Sequence, residues 1–231
     1  MPHYTFGLKE KKTVAKETMA FVFEYGDQKF TFRPGQFVDI TLEDSKHKDD
    51  QGSTRAFSIA SSPLDDYLMV ATRLTDSAMK KSLAELELGR LVHVDGPLGS
   101  FKLHSDKSIP AVMLTGGIGI TPFRSIIKDA TEQNSEQKLT LIYSNRAPED
   151  AAFVDELEEW QSYNTNFNFV TRWTKEDGHI DEPFLKKHIR NLAQPIFYVA
   201  GPSGMVAGTT QLLIEIGVKE DNIKFEEFAG Y

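Results

Sequence analysis

The amino-acid sequence predicts an antiparallel Greek-key β barrel followed by a parallel-sheet α/β domain. Two observations carry this. Up to residue 106 the chain is a series of short β-type runs broken by turn residues; after residue 109 strand-like and helix-like runs alternate. The first pattern is that of an antiparallel barrel, the second that of βαβ units on a parallel sheet. The chain is therefore expected to divide into domains of residues 1–106 and 107–231, joined through "KLHSDKSIP" (102–110).

In the first domain the β-type runs are "HYTFGLKEKKTV" (3–14), "TMAFVFEYG" (18–26), "QFVDITLE" (36–43), "RAFSIASS" (55–62), "YLMVATRL" (67–74) and "RLVHVDGP" (90–97). Gly26-Asp27, Arg33-Pro34-Gly35 and Ser62-Pro63 mark turns between them, because Gly admits positive φ and Pro presets a turn. "EDSKHKDDQGST" (43–54) is polar throughout and reads as a mobile loop. One helix-like piece, "DSAMKKSLAELE" (76–87), has Asp76 or Ser77 placed to cap its start. In the second domain the strands are "AVMLTGG" (111–117), "LTLIYSN" (139–145), "FNFVTRW" (167–173) and "IFYVAGP" (196–202). The helices expected between and after them are "TPFRSIIKDATEQ" (121–133), "EDAAFVDELEEWQS" (149–162), "EPFLKKHIR" (182–190) and "SGMVAGTTQLLIEIG" (203–217). "IKFEEFAGY" (223–231) reads as a last strand with an aromatic tail.

Composition narrows the function. With 40% hydrophobic and 26% charged residues the 231-residue chain is globular, and a net charge of −8 argues against nucleic acid as its main partner. The absence of Cys excludes disulfides, thiolate zinc sites and cysteine-ligated iron–sulfur clusters carried by this chain. The six His show no metal-ligand spacing, so no metal site is expected. No apolar run is long enough to span a membrane, and the N-terminus lacks the pattern of a secretion signal, which reads as a cytoplasmic protein.

Two glycine turns stand out. "LTGGIGITPFRSII" (114–127) runs from an apolar strand through Gly116, Gly117 and Gly119 into a helix, with Thr121 and Pro122 in its first turn. Such a turn can cradle a pyrophosphate on backbone N–H groups, or can be only a tight strand–helix connection. "VAGPSGM" (199–205) makes a second turn of this kind. Two such turns at the carboxyl ends of parallel strands face one crevice, the usual ligand position in an open α/β sheet. In the first domain, Arg55, Phe57, Ser58 and Ser61 of "RAFSIASSP" (55–63) place a cation, a ring and two hydroxyls on a strand-like run, as if to hold something.

In order along the chain, Arg55-x-Phe57-Ser58-x-x-Ser61, "GPLGSF" (96–101), "GGIGITP" (116–122) and "AGPSGM" (200–205) resemble the four signatures of the ferredoxin–NADP reductase family of flavin-dependent oxidoreductases. The resemblance implies that Arg55 pairs with a flavin phosphate, that Phe57 packs on one face of the isoalloxazine, and that Ser58 points its hydroxyl to the hydride-accepting N5 region, with Ala56 and Ser61 completing the motif. Residues Ala78, Met79, Lys80, Lys81 and Ser82 would hold the pyrophosphate, which implies FAD rather than FMN. Thr115, Gly116, Gly117, Ile118, Gly119, Thr121 and Pro122 would bind the nicotinamide dinucleotide, with Gly201, Pro202 and Met205 beside its nicotinamide. Ala200 departs from the family, which usually has cysteine there. The family's C-terminal pattern puts Glu226 near the flavin and Phe228 over its second face; Tyr231 is the alternative stacking ring. Ser144, Asn145 and Arg146 precede any acidic residue at the end of the second parallel strand, and "TRWTKE" at the end of the third adds Arg172; together they favour NADPH, with NADH as the alternative. The implied activity is hydride transfer from NADPH to bound FAD, then single-electron transfer to a separate carrier such as ferredoxin or flavodoxin. The alternatives are an NAD(P)H:flavin reductase with diffusible flavin and a non-catalytic reductase-like subunit.

Overall fold

Strands β1 (His3–Ala15), β2 (Thr18–Glu24), β3 (Phe37–Thr41), β4 (Thr54–Ser58), β5 (Tyr67–Arg73) and β6 (Leu91–Leu98) form one antiparallel sheet, with helix α1 (Ala78–Glu85) between β5 and β6. The strand order is β4-β3-β6-β1-β2-β5, so β6 returns between β3 and β1 in Greek-key fashion. The edge strands meet through an Ile59–Val70 bridge, which rolls the sheet toward a barrel. Alternation decides which face is inside. Val38 and Ile40 of β3, and Val92 and Val94 of β6, point inward while their neighbours are partly or fully exposed. Phe6, Phe21, Phe23, Phe30, Phe32 and Phe57 join them in one core. Each such ring contributes about 1.5–3 kcal/mol by burial.

The structure is a computed structural model that describes residues 3–43 and 45–228. It divides into two compact units, Met1–Lys102 with Thr121–Asp129, and Leu103–Ile120 with Ala130–Tyr231. The helical stretch 121–129 groups with the antiparallel strands for specific reasons. Arg124 Nη1 donates to Ala60 O at 2.6 Å, Ser125 Oγ donates to Ser61 O at 2.6 Å, and Lys128 pairs with Asp65.

In the second unit β7 (Ala111–Gly116), α2 (Ile120–Glu132), β8 (Leu139–Asn145), α3 (Val154–Tyr163), β9 (Phe167–Trp173), α4 (Thr174–Asp177), α5 (Glu182–His188), β10 (Ile196–Pro202), α6 (Ser203–Glu215) and β11 (Ile223–Phe228) follow in order, α2 being the helix shared with the first unit. The five strands are parallel in the order β11-β10-β7-β8-β9. β7 is buried along its whole length, as a central strand covered on both faces should be.

Several boundaries differ from the sequence expectation. β4 ends at Ser58, short of the run expected to residue 62; beyond it Ile59 forms only an isolated bridge to Val70, and the Met69 N–H goes to the Ser61 hydroxyl at 3.0 Å. The helix expected over 149–162 starts at Val154: Phe153 takes left-handed φ 64°, and Ala152 N donates to Tyr143 Oη at 3.1 Å. Ser77 is the N-cap of α1 but its hydroxyl makes no cap bond, while Asp76 pairs with Lys81.

Candidate functional site

In the first unit, three features of the sequence motifs meet at the start of α1. Arg55 lies toward the loop that precedes β4, with its side chain 19% exposed. Its Nη2 donates to Asp49 Oδ1 at 3.1 Å, and its Nη1 donates to the carbonyls of Gln51, Gly52 and Thr54 at 2.8–3.0 Å. Asp49 Oδ2 accepts from the first helical N–H, that of Ala78, at 3.2 Å. A carboxylate thus bridges the guanidinium and the helix N-terminus, two groups that each attract anions. Desolvation pushes the Asp49 carboxyl upward, but hydrogen bonds from Ala78, Gln51 and Arg55 outweigh it and hold it below the usual carboxylate range. Lys80 is held low by burial and then by repulsion from Arg55, so two cations converge here. Ser82 is buried, its Oγ 2.7 Å from Ser45 Oγ and accepting from His47 N at 3.0 Å. Ser77 Oγ is buried without a partner beside them.

The other motif residues divide. Ala56 is exposed, and Ser58 is half-buried at the end of β4, opposite Phe37. Phe57 is 6% exposed and belongs to the barrel core; Met79 is buried with it, so Met79 offers only its backbone. Ser61 is fully buried and its hydroxyl is committed to Met69, which turns it into the barrel rather than toward Arg55.

In the second unit the chain order reverses between β7 and β10, so their carboxyl ends border the crevice where open α/β sheets bind ligands. The two glycine turns sit there and are fastened together. Thr115 Oγ1, fully buried, donates to Ala200 O at 2.8 Å. A Cβ on Gly119 would lie 2.4 Å from Ala200 O and 2.7 Å from Gly201 Cα, so only glycine lets the turns approach this closely. Gly201 has φ 153°, and a Cβ there would come within 3.0 Å of Met205 Sδ and 3.3 Å of Gly116 O. Gly117, at φ 55°, donates its N–H to Asn145 Oδ1 at 3.1 Å and accepts from Tyr143 Oη at 2.8 Å. Asn145 Nδ2 is buried and unpartnered. A buried donor left unpaired is costly, and a ligand acceptor would satisfy it. Ile118, Thr121 and Pro122 are buried at the start of α2. Ser144 is half-buried at the end of β8, opposite Gly116, and Arg146 beyond it is exposed.

Arg172 is directed elsewhere. Its Nε donates to Gly178 O at 3.0 Å, its Nη2 reaches Asp177 O and His179 O, and its guanidinium lies 4.6 Å from the Phe184 ring centre. These contacts fasten the turn after α4.

Glu226 pairs in register with Ala200 and Phe228 with Pro202, which brings β11 alongside the second glycine turn. Tyr231 lies outside the described residues. Burial pushes the Glu226 carboxyl up to about 7, and its Oε2 has no partner. A carboxyl raised in the folded state binds its proton more tightly there than in the unfolded chain. Its contribution is therefore favourable at low pH and fades as pH rises from the unfolded value of 4.5 through about 7. We expect thermal stability of Glu226→Gln, relative to the parent, to rise across that window and level off above it. Parallel melting profiles with no divergence would show that the carboxyl is solvated.

Asp49, Tyr143 and the Thr115–Ala200 hydrogen bond carry no signal in the sequence. The comparisons with known proteins fit this geometry. A family model described as Oxidoreductase FAD-binding domain matches residues 5–103, and one described as Oxidoreductase NAD-binding domain matches residues 113–211. The chain belongs to the ferredoxin–NADP reductase family. Ferredoxin-NADP+ reductase from Plasmodium falciparum shares the fold at a TM-score of 0.81 and 17% identity, over 98% of this chain and 96% of that one. Among curated relatives, flavohemoprotein A of Dictyostelium discoideum is 26% identical over 96% of the chain. The toluate 1,2-dioxygenase electron transfer component of Pseudomonas putida is 28% identical over 98% of it. The chain spans 59% of the first and 68% of the second. Like the family, it carries an FAD-binding and a nicotinamide-nucleotide-binding oxidoreductase domain. The residues present fit both groups: the Arg55–Ala78 cradle already holds an anionic carboxylate, and Asn145 leaves a donor unsatisfied beside the Gly117 turn. Among the described residues no helix is long and apolar enough to cross a membrane, and no group of His, Asp and Glu is placed to hold a metal ion.

Proposed function

We propose that the chain is an NADPH-oxidising flavoprotein reductase that delivers single electrons to a separate protein. The observation that carries this reading is that the residues resembling the family's flavin motif hold a carboxylate on Arg55 and the Ala78 N–H, while those resembling its nucleotide motif set the buried, unpaired Asn145 Nδ2 beside the Gly117 turn. FAD, when bound, supplies the conversion of hydride chemistry to one-electron chemistry. The chain's own residues bind and orient. Arg55, Lys80, Lys81, Ser82 and the Ala78 and Met79 N–H groups hold the pyrophosphate, and Phe57 and Ser58 adjoin the flavin ring. Gly116, Gly117 and Gly119 admit the nucleotide's phosphates to the backbone, with Thr115, Ile118, Thr121 and Pro122 fixing the turn. Gly201, Pro202 and Met205 shape the nicotinamide end, where buried Ala200 offers small size and no thiol. Glu226, with its carboxyl near neutrality, holds a proton at that end, and Phe228 follows it. The toluate dioxygenase relative is an electron transfer component, which supports a protein acceptor of that kind.

Ser144, Asn145 and exposed Arg146 are the groups proposed to select the 2′-phosphate of NADPH. We expect Arg146→Ala to raise the apparent KM for NADPH by about tenfold, the loss of roughly one charge-assisted contact, while that for NADH stays nearly constant. Steady-state oxidation of both nucleotides checks this; equal changes would remove Arg146 from nucleotide selection, and a parent preference for NADH would overturn the NADPH assignment.

A second reading, a reductase using diffusible flavin, is favoured by one observation: the cradle expected for FAD pyrophosphate is engaged by Asp49.

A further inference from the structure

The run 43–54 reads from the sequence as a mobile polar loop, yet its residues 45–52 are hydrogen-bonded to Arg55 and to the first two turns of α1. Ser45 and the His47 N–H both engage Ser82 Oγ, at 2.7 and 3.0 Å. His47 Nε2 lies 3.1 Å from Glu85 Oε1. Asp49 spans Arg55 and the Ala78 N–H, and the carbonyls of Gln51 and Gly52 accept from Arg55. The loop thus uses the same groups that a pyrophosphate would need: the guanidinium, the helix N–H and the Ser82 hydroxyl. Asp49 is held on the first two of these as an anion, and its carboxyl lies below the usual range.

We infer that Asp49 is an intramolecular competitor for the flavin phosphate site, setting how tightly this protein retains FAD. The inference rests on the reading of Arg55 and the α1 N-terminus as that site. A dinucleotide entering the cradle must displace the carboxylate, or else share the site with a like charge at close range. Either way the carboxylate lowers the affinity of a phosphorylated flavin. Riboflavin, which has no phosphate, does not compete for these groups.

The test uses the full chain freed of flavin, titrated with FAD and with riboflavin by flavin fluorescence, for the parent, Asp49→Asn and Arg55→Ala. Asparagine keeps the size and much of the loop's hydrogen bonding while removing the charge, and circular dichroism verifies its fold. We expect Asp49→Asn to bind FAD about fivefold to tenfold more tightly, which corresponds to roughly 1–1.4 kcal/mol, with riboflavin binding unchanged. FAD affinity equal to or weaker than the parent, while Arg55→Ala still weakens FAD, would overturn the competitor role and leave the flavin site standing. Insensitivity of FAD binding to both substitutions would move the flavin site itself and take the inference with it. A gain shared by riboflavin would show that Asp49 acts on the loop's shape rather than on phosphate.

Discussion

We expect Arg55→Ala to weaken FAD binding by about 1.5–3 kcal/mol, the range for hydrogen bonds to a charged group, or roughly tenfold to a hundredfold in Kd. The side chain is only 19% exposed, and its guanidinium reaches the α1 N-terminus through Asp49, so water replaces it poorly. Its present acceptors are Asp49 and three loop carbonyls, and these too lose their donor in the variant. Arg55→Lys separates the two contributions: it keeps the charge but loses the planar fork that grips two oxygens together. We expect its affinity to fall between parent and alanine. Titration of flavin-free protein with FAD measures all three, and an alanine variant that holds FAD like the parent would remove Arg55 from the site.

Gly119→Ala is the most damaging single-atom addition in the nucleotide-binding unit. The new methyl group would stand 2.4 Å from Ala200 O and 2.7 Å from Ala200 C, both backbone atoms with no side-chain freedom to yield. The cost is at least about 1–3 kcal/mol, the usual range for overpacking a fixed site, and Tm falls by roughly 2–4 °C for each kcal/mol in a chain of this size. Pushing the two turns apart also strains the Thr115–Ala200 hydrogen bond, so nicotinamide-nucleotide affinity falls with stability. Gly208→Ala is the matched control. It lies exposed within α6 with nothing within 4 Å of the new atom, and alanine there gains about 0.5–1 kcal/mol from helix propensity. Equal melting temperatures for the two variants would refute the close-packing role of Gly119.

Much of this architecture is legible in the sequence because its signals are local. Val38-x-Ile40 and Val92-x-Val94 alternate with period two, and β7 is a continuous apolar run, so antiparallel and parallel sheets separate on pattern alone. The glycine turns are legible for a related reason: a strand that runs into glycines and then a helix leaves few alternatives. What each glycine does is not legible. Gly119 is needed for its approach to Ala200, a residue 81 positions later in the chain. The same limit explains the loop 45–53. Its polar composition signals exposure, but the partners that fix Asp49 are Arg55 and, 29 residues away, Ala78. Arg146 and Arg172 look alike in sequence, and only tertiary structure separates the exposed one from the one bound to the carbonyls of 177–179. Ser61 shares that fate, since the motif specifies a hydroxyl but not that Met69 takes it.

On the reading proposed above, one chain binds FAD and a nicotinamide nucleotide and passes hydride from the nucleotide to the flavin. Anaerobic mixing of the FAD-loaded chain with NADPH, followed by its visible spectrum, tests this directly. We expect rapid loss of the oxidised flavin band, with NADPH more effective than NADH. A chain that takes up no FAD, or whose bound flavin stays oxidised with either nucleotide, would contradict it.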